Sequence, residues 1–338
     1  MPQISVAILT YDRTDYLREA IESVLADKDL DLELIVLDTA SPVDVKAIID
    51  GFSDSRLKYH YHPVNLGMVG ALNKCIDLCT GEFVLILNDD DRVLPTGLRR
   101  LSQALIDEPE AGVSIASVWL INEKSEQIGE KQEVTTEDVC ITGADFYKAY
   151  LTGKIPVQPS TIFVRKSILD QAGYYDGSFE YGPDMDLLLR VGLKSKKVCL
   201  LADALGEYRI HGGSITEHLR RNAEIGVSFR DIVKKQYELA KAAAIFSADE
   251  LENVFKQAHS QYTGSCIALG LNCFRFGEEE VARQYFAVAK QMAPDLISKL
   301  YISALVCVSF AGKSTYNCLR QIKRLLTRST LASTETKN

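Results

Sequence analysis

Strand-length apolar runs alternate with helix-period segments over the first third of the chain, and this pattern constrains the fold more than any other feature. The runs Ile4–Leu9, Leu32–Leu37, Leu57–Tyr61 and Phe83–Leu87 read as strands. Between them, Tyr16, Leu17, Ala20, Ile21, Val24 and Leu25 recur at helical spacing, with Thr14 or Asp15 as N-cap. Val43–Phe52 and Met68–Cys79 read as two further helices. A βαβαβαβ order across residues 4–107 predicts a parallel sheet covered by helices on both faces. Right-handed crossovers then bring the carboxyl ends of the strands to one edge, where open α/β sheets bind ligands. That edge would carry Thr10-Tyr11-Asp12-Arg13, Asp38–Pro42 and Asn88–Asp91.

The last of these stretches is unusual in its charge. Asp89, Asp90 and Asp91 are adjacent at a strand tip, and three neighbouring carboxylates repel one another unless a cation offsets them. A hard divalent ion such as magnesium or manganese takes oxygen ligands, often one or two carboxylates plus substrate phosphates. The plain alternative is a polar loop whose Asp residues cap the helix near Leu98. No GxGxxG follows the first strand and no GxxxxGK[ST] occurs, which argues against a dinucleotide oxidoreductase and a P-loop NTPase.

Length and charge narrow the choices. The 338 residues suffice for about two domains. The net charge of −8 and the lack of a basic arm argue against a nucleic-acid partner. The opening PQISVAILTYDR does not read as a secretory signal. The eight scattered cysteines form no CxxC pair, so reduced thiols in a cytoplasmic enzyme are expected, with Cys75 and Cys79 facing the core.

Beyond the alternating region, Val113–Ile121 and Thr161–Val164 read as strands, and Thr142–Gly153 and Arg165–Ala172 as helices. Asn122–Gly129 reads as a hairpin or loop. Asp184 falls at the start of an apolar helix running to Gly192, where a carboxylate suits the helix dipole or serves as a cap. Lys197–Leu201 and Leu205–Ile210 read as two strands, followed by the Gly-rich turn His211-Gly212-Gly213. From about Leu219 the pattern is helical: Ala223–Ala244 as one long or two shorter helices, Ala248–Leu271, and a segment to Pro294 that resembles half of a tetratricopeptide hairpin. Leu296–Gly312 is apolar but short for a membrane span, and Lys313, Arg320, Lys323, Arg324 and Arg328 follow it. It reads either as a buried helix or as one lying on an anionic membrane surface.

Six segments in order resemble the family 2 glycosyltransferases, an inverting family with the GT-A nucleotide-sugar-binding fold. They are VAILTYDR, ELIVLDTAS, NLGMVGALNKCIDLCTGEFVLILNDDD, Gly173–Asp176, YGPDMDLLLRVG and YRIHGGSIT. The resemblance implies an α/β fold, a Rossmann-like mixed sheet flanked by helices over residues 1–218, with an all-helical region over 219–330. It implies that Thr10, Tyr11 and Arg13 hold the nucleotide base and ribose, and that Asp38 hydrogen-bonds the base. Lys74 and the Asn65-Leu66-Gly67 turn then lie near the phosphates. Asp90 matches the metal-ligating carboxylate, with Asp91 beside it as a further metal ligand and Asp89 on the donor, and His211 touches the metal or the diphosphate. Asp184 matches the catalytic base. Asn88 stands where many relatives carry the first Asp of an Asp-x-Asp motif, Thr39 where they carry a second Asp, and Pro183 where they carry Glu.

The implied reaction is transfer of a sugar from a nucleotide donor, with UDP-sugar expected, to an acceptor hydroxyl, with a divalent metal (Mn2+ or Mg2+) as cofactor. The implied acceptor is a glycan or lipid-linked sugar of a surface polysaccharide, met at the inner face of the cell membrane. A sugar nucleotidyltransferase would need a Gly-rich basic loop after the first strand, and Thr10-Tyr11-Asp12-Arg13 is not one. A non-catalytic module that keeps the fold is the third reading, and Asp38, Asp90, Asp184 and His211 argue against it.

Overall fold

The computed structural model of the protein describes residues 3–179, 181–213 and 219–310. Glu180, the Ser214-Ile215-Thr216 end of the His211 turn and the basic stretch after Gly312 fall outside the described residues.

The first four strands follow the apolar runs: β1 (Ile4–Thr10), β2 (Leu32–Thr39), β3 (Leu57–His62) and β4 (Phe83–Asn88). The helices between them are α1 (Leu17–Leu25), α2 (Val45–Ile49) and α3 (Gly67–Leu78). Helix α1 buries Leu17, Ala20, Ile21, Val24 and Leu25, the stripe that its spacing predicts. Its N-cap is Tyr16 rather than Thr14 or Asp15, and no side chain caps it.

The chain continues through the two-residue strand β5 (Arg92–Val93), α4 (Gly97–Asp107), β6 (Ala111–Ile121), β7 (Val139–Thr142) and α5 (Gly143–Leu151). Then come β8 (Ile162–Arg165), α6 (Lys166–Ala172), α7 (Pro183–Lys194) and β9 (Lys197–Arg209). The sheet order is β3-β2-β1-β4-β8-β6-β9-β5, with β7 paired to β9. The β3-β2-β1-β4 half is parallel, and β8 joins β4 and β6 antiparallel, so the sheet is mixed. Two cores flank it. One packs α1 and α4 against Ile4, Val6, Ile8 and Leu85; the other packs α3, α5 and α7 against Ala7, Val84 and Val164.

Three sequence expectations change here. The two strands expected at 197–201 and 205–210 are one, because β9 absorbs three extra residues opposite β6: Ala116 pairs Leu201, Ser117 pairs Ala204 and Val118 pairs Gly206. Helix α4 begins after Thr96, whose φ is +66°, so the acidic strand end does not cap it. The expectation of reduced thiols throughout is overturned by a disulfide between Cys140 and Cys199. These two lie directly opposite on antiparallel β7 and β9, a pairing that a separation of 59 residues conceals. Cys75 and Cys79 are buried free thiols, as expected.

Glu33 is a buried acid at the other end of β2, 2% exposed. It accepts from Ser5 Oγ (2.6 Å), Thr80 N (2.7 Å), Thr80 Oγ1 (2.8 Å) and Lys58 Nζ (2.6 Å). Burial alone would raise its pKa, but these donors hold it down to about 2.

Contacts divide the chain into two compact units, residues 1–214 with Gln236–Ser247 and residues 215–235 with 248–338. Helix α8 (Glu224–Ala243) is a single helix that contributes to both. Within the first unit, Gln236 Nε2 donates to Asp186 Oδ1 (2.8 Å), and Tyr147 Oη donates to the Gln236 carbonyl (3.0 Å). The second unit contains a hairpin of α9 (Ala248–Arg275) and α10 (Glu279–Met292), then α11 (Leu296–Phe310). Helix α11 buries only Ile302 and Ser309, leaving Leu296, Ile297, Leu300, Tyr301 and Phe310 exposed, so the buried-helix alternative does not describe it. Among the described residues, no helix is long and apolar enough to cross a membrane.

Candidate active site

Register alone brings the expected residues to one rim. Thr10 pairs with Asp38 across β1 and β2, and Leu9 pairs with Asn88 across β1 and β4, so three strands end level. The loops beyond them are joined: Asp12 N–H donates to Ser41 Oγ (3.2 Å), and Thr10 Oγ1 donates to the Arg13 carbonyl (2.9 Å). Tyr11 is exposed on this rim, its ring free to meet a flat ligand. Asp38 is buried, with Oδ1 accepting from Ser41 N (2.9 Å) and Oδ2 from Tyr59 Oη (2.8 Å).

The acidic triplet does not act as one cluster. Asp90 accepts from Arg13 Nη1 (3.1 Å) and lies 3.0 Å from His211 Nε2. Asp89 pairs with Arg13 through Oδ1, while its buried Oδ2 has no hydrogen-bond partner among the described residues. Burial pushes the Asp89 carboxyl up to about 6, with Asp90 raising it and Arg13 opposing. Asp91 points inward, fully buried, and accepts from Arg209 N (2.9 Å) and Asn88 Nδ2 (3.0 Å). Burial and the adjacent Asp90 charge hold its carboxyl well above the ordinary range. Lys74 is half-buried on α3 and makes no ion pair among the described residues.

Asp91, expected as a metal ligand beside Asp90, is instead buried with both oxygens engaged, which leaves Asp90 and His211 as the side chains at this rim that could share a divalent ion. Among the described residues, no group of three or more His, Cys, Asp or Glu side chains is gathered for a metal. Two donors nevertheless suit a hard cation that completes its shell with phosphate and water, and the unpaired Asp89 oxygen adds negative charge beside them.

Asp184 occupies the second position of α7. The helix starts from Gly182, whose φ of +73° turns the chain into it, so the N-cap is Gly182 and not Asp184. Main-chain N–H groups of Asp184 and Met185 stabilise the carboxylate, yet burial dominates and raises its pKa. Asp184 shares a cleft with Tyr175, Ile76, Ile86, Ile162 and Leu187, which supplies the apolar surroundings. The helix under it is fixed by Arg190, which binds Asp186 (2.8 Å) and the carbonyls of Gly173 (2.7 Å) and Tyr174 (2.7 Å). Asn73 ties the neighbouring Tyr175 main chain to α3 through two hydrogen bonds, of 2.8 and 3.0 Å. A carboxylate of raised pKa in a cleft on a rigid helix has the makings of a general base.

Comparison with known proteins decides the family. The profile described as Glycosyl transferase family 2 matches residues 5–173, which span β1 to the end of α6. The chain belongs to glycosyl transferase family 2. This glycosyltransferase is 37% identical over 106 residues to the GalNAc(5)-diNAcBac-PP-undecaprenol beta-1,3-glucosyltransferase of Campylobacter jejuni, covering 30% of its own length and 34% of that protein's. It is 25% identical over 218 residues to an Escherichia coli UDP-Glc:alpha-D-GlcNAc-diphosphoundecaprenol beta-1,3-glucosyltransferase, covering 64% of its own length and 80% of that enzyme's. It thus spans only about a third of the Campylobacter relative. Staphylococcus aureus TarS residues 1–349, solved with UDP-GlcNAc, share its fold at a TM-score of 0.69 and 16% identity, over 94% of this chain and 92% of that one. A Pyrobaculum calidifontis mannosyltransferase solved with GDP-Man and Mn2+ aligns at a TM-score of 0.55 and 14% identity, over 100% and 88%. At such identities these two establish the GT-A-type fold alone.

Sequence reasoning missed Arg209, Glu19 and Tyr16, which meet behind the acidic strand end. Arg209 is 2% exposed and lies over the Tyr16 ring, 4.1 Å from its centroid. The available signal was an Arg closing a long strand two residues before His211.

Proposed function

We propose that this glycosyltransferase moves a sugar from a UDP-sugar to an acceptor hydroxyl by single displacement at the anomeric carbon. The observation that carries the reading is the meeting of Arg13, Asp90 and His211 on the rim where β1, β2 and β4 end level, with Asp38 on the same rim. Tyr11 and Asp38 would hold the base, the first by its ring face and the second by hydrogen bonding. Thr10 and Arg13 would contact the nucleotide, Asp89 the ribose or sugar, and Lys74 the phosphates. A manganese or magnesium ion held by Asp90 and His211 would supply Lewis-acid stabilisation of the departing diphosphate. Asp91 would support this set from behind, because its oxygens are engaged by Arg209 and Asn88.

Asp184 is the proposed base. It accepts the proton of the acceptor hydroxyl as that oxygen attacks, from the face opposite the leaving group, which inverts the anomeric centre without a covalent intermediate. The relatives named for UDP-Glc and for undecaprenol-linked substrates favour a UDP donor and a lipid-linked acceptor in polysaccharide assembly. A thermal-shift screen tests the donor: the correct nucleotide sugar with manganese raises Tm by mass action, while other nucleotides leave it unchanged. Stabilisation by GDP-sugars alone would overturn the UDP assignment.

A lipid-linked acceptor also calls for contact with the inner face of the membrane. The exposed apolar side chains of α11 support peripheral docking there, because Ile297, Leu300 and Tyr301 share one helical face and the sequence after it is basic. The chain is expected to sediment with vesicles containing anionic lipid. The pair Ile297→Glu and Leu300→Glu is expected to lower the vesicle partition constant by ~100-fold or more, since each buried apolar side chain contributes ~1.5–3 kcal/mol. Equal sedimentation of wild type and the double variant would sink the docking reading.

A further inference from the structure

Arg209 ends β9 with its side chain fully enclosed. Nε donates to the main-chain carbonyl of Asp90 (2.8 Å) and Nη2 to Glu19 (3.0 Å). Nη1 donates to the Asn122 carbonyl (3.0 Å) and Ser125 Oγ (2.9 Å), and the residue's own N–H donates to Asp91 Oδ1 (2.9 Å). One flat face of the guanidinium rests on Tyr16, and the Tyr16 ring meets the His211 ring edge-on at 5.5 Å. Glu19 also accepts from Arg92 Nη1 (3.0 Å) and Ser125 Oγ (2.8 Å). On the far side of the same turn, Gly212 N–H donates to Glu123 (3.3 Å).

A buried guanidinium is costly to desolvate and persists only when its donors are satisfied. Here the donors join stretches far apart in sequence: the acidic strand end, the turn at 122–125 and helix α1. The Nε contact is the telling one. By holding the main chain of Asp90 it fixes that residue's backbone while leaving its carboxylate free for Arg13 and His211. The Tyr16 stack orients His211 from the same anchor.

We propose that Arg209, backed by Glu19 and Tyr16, is a positioning residue that holds the Asp90 carboxylate and the His211 ring in one geometry toward the donor diphosphate. The inference rests on the function proposed above. Only an arginine can serve every contact, because a lysine carries the charge on a single nitrogen and cannot span Asp90, Asn122, Ser125 and Glu19.

Calorimetric titration of UDP into the full-length protein, with and without manganese, tests it, with Tm measured for each variant. Arg209→Lys is expected to weaken manganese-dependent UDP binding by ~10- to 100-fold, the range for residues that orient metal ligands, and to leave metal-free UDP binding unchanged. Glu19→Gln, which keeps the shape but loses the charge, is expected to weaken it about tenfold and to raise donor KM while acceptor KM stays constant. A merely structural role would lower Tm and reduce both modes of binding in proportion. A folded Arg209→Lys with wild-type manganese-dependent affinity overturns the proposal. Should that variant fail to fold, Glu19→Gln and Tyr16→Leu decide by the same comparison. A wild-type protein that binds no UDP overturns the donor assignment and this inference together, whereas equal binding by wild type and variants overturns the positioning role alone.

Discussion

Asp184→Asn is expected to cut kcat by ~10³, within the range that positioned general bases supply, while donor affinity changes less than about twofold. The variant keeps the shape of the side chain and removes its capacity to take a proton. In the wild type, burial raises the Asp184 carboxyl above the ordinary carboxylate value, so the active, ionised form is lost at a higher pH than for an exposed aspartate. The acid limb of the kcat profile should accordingly sit above the usual carboxylate range and disappear in Asp184→Asn. Stability should move the other way. A carboxyl with raised folded-state pKa contributes stability below its unfolded pKa and loses it as pH rises through the folded pKa. At neutral pH the buried charge is therefore a burden, and Asp184→Asn is expected to raise Tm there and to lose that advantage in acid. Near wild-type turnover in Asp184→Asn would remove Asp184 from the mechanism.

Asp90→Ala separates the roles of adjacent carboxylates. Manganese-dependent UDP affinity is expected to fall by ~10² or more, because the substitution deletes a ligand and leaves His211 without its 3.0 Å partner. Asp91→Ala, one residue on, is expected to act on stability instead. Its carboxylate is buried against Arg209 N and Asn88 Nδ2, and unpairing those donors costs about 1–3 kcal/mol. Titration of UDP with and without manganese, alongside Tm, reads both variants. Unchanged metal-dependent affinity in Asp90→Ala would transfer the ligand role elsewhere.

The rim was legible in the sequence because its geometry follows from local rules. Apolar runs of strand length, helices of 3.6-residue period and right-handed crossovers suffice to align Thr10, Asp38 and Asn88, and no long-range contact need be guessed. What lay hidden depends on pairings between distant residues. Arg209 and Glu19 are 190 positions apart, and neither is unusual in its own neighbourhood. Cys140 and Cys199 meet only because β7 folds back along β9. Composition could not reveal that Asp91 meets the Arg209 main chain while Asp90 meets Arg13 and His211, since these partners lie 77 to 121 positions away. For α11, apolar content alone left open which side chains the hairpin covers, and Ile302 and Ser309 prove to be the covered ones.

The shared helix α8 has a consequence for how this enzyme can be taken apart. Its second half supplies Gln236, whose amide reaches the buried Asp186 beneath the proposed base, and whose carbonyl receives Tyr147. The polypeptide thus leaves the catalytic unit, returns to it and leaves again. A chain cut at residue 218 would take the Gln236 amide away from the buried Asp186 and open the floor under α7. Recombination between relatives at that point would break the same seal, so an exchange of C-terminal regions has to keep the stretch Gln236–Ser247 with the first unit.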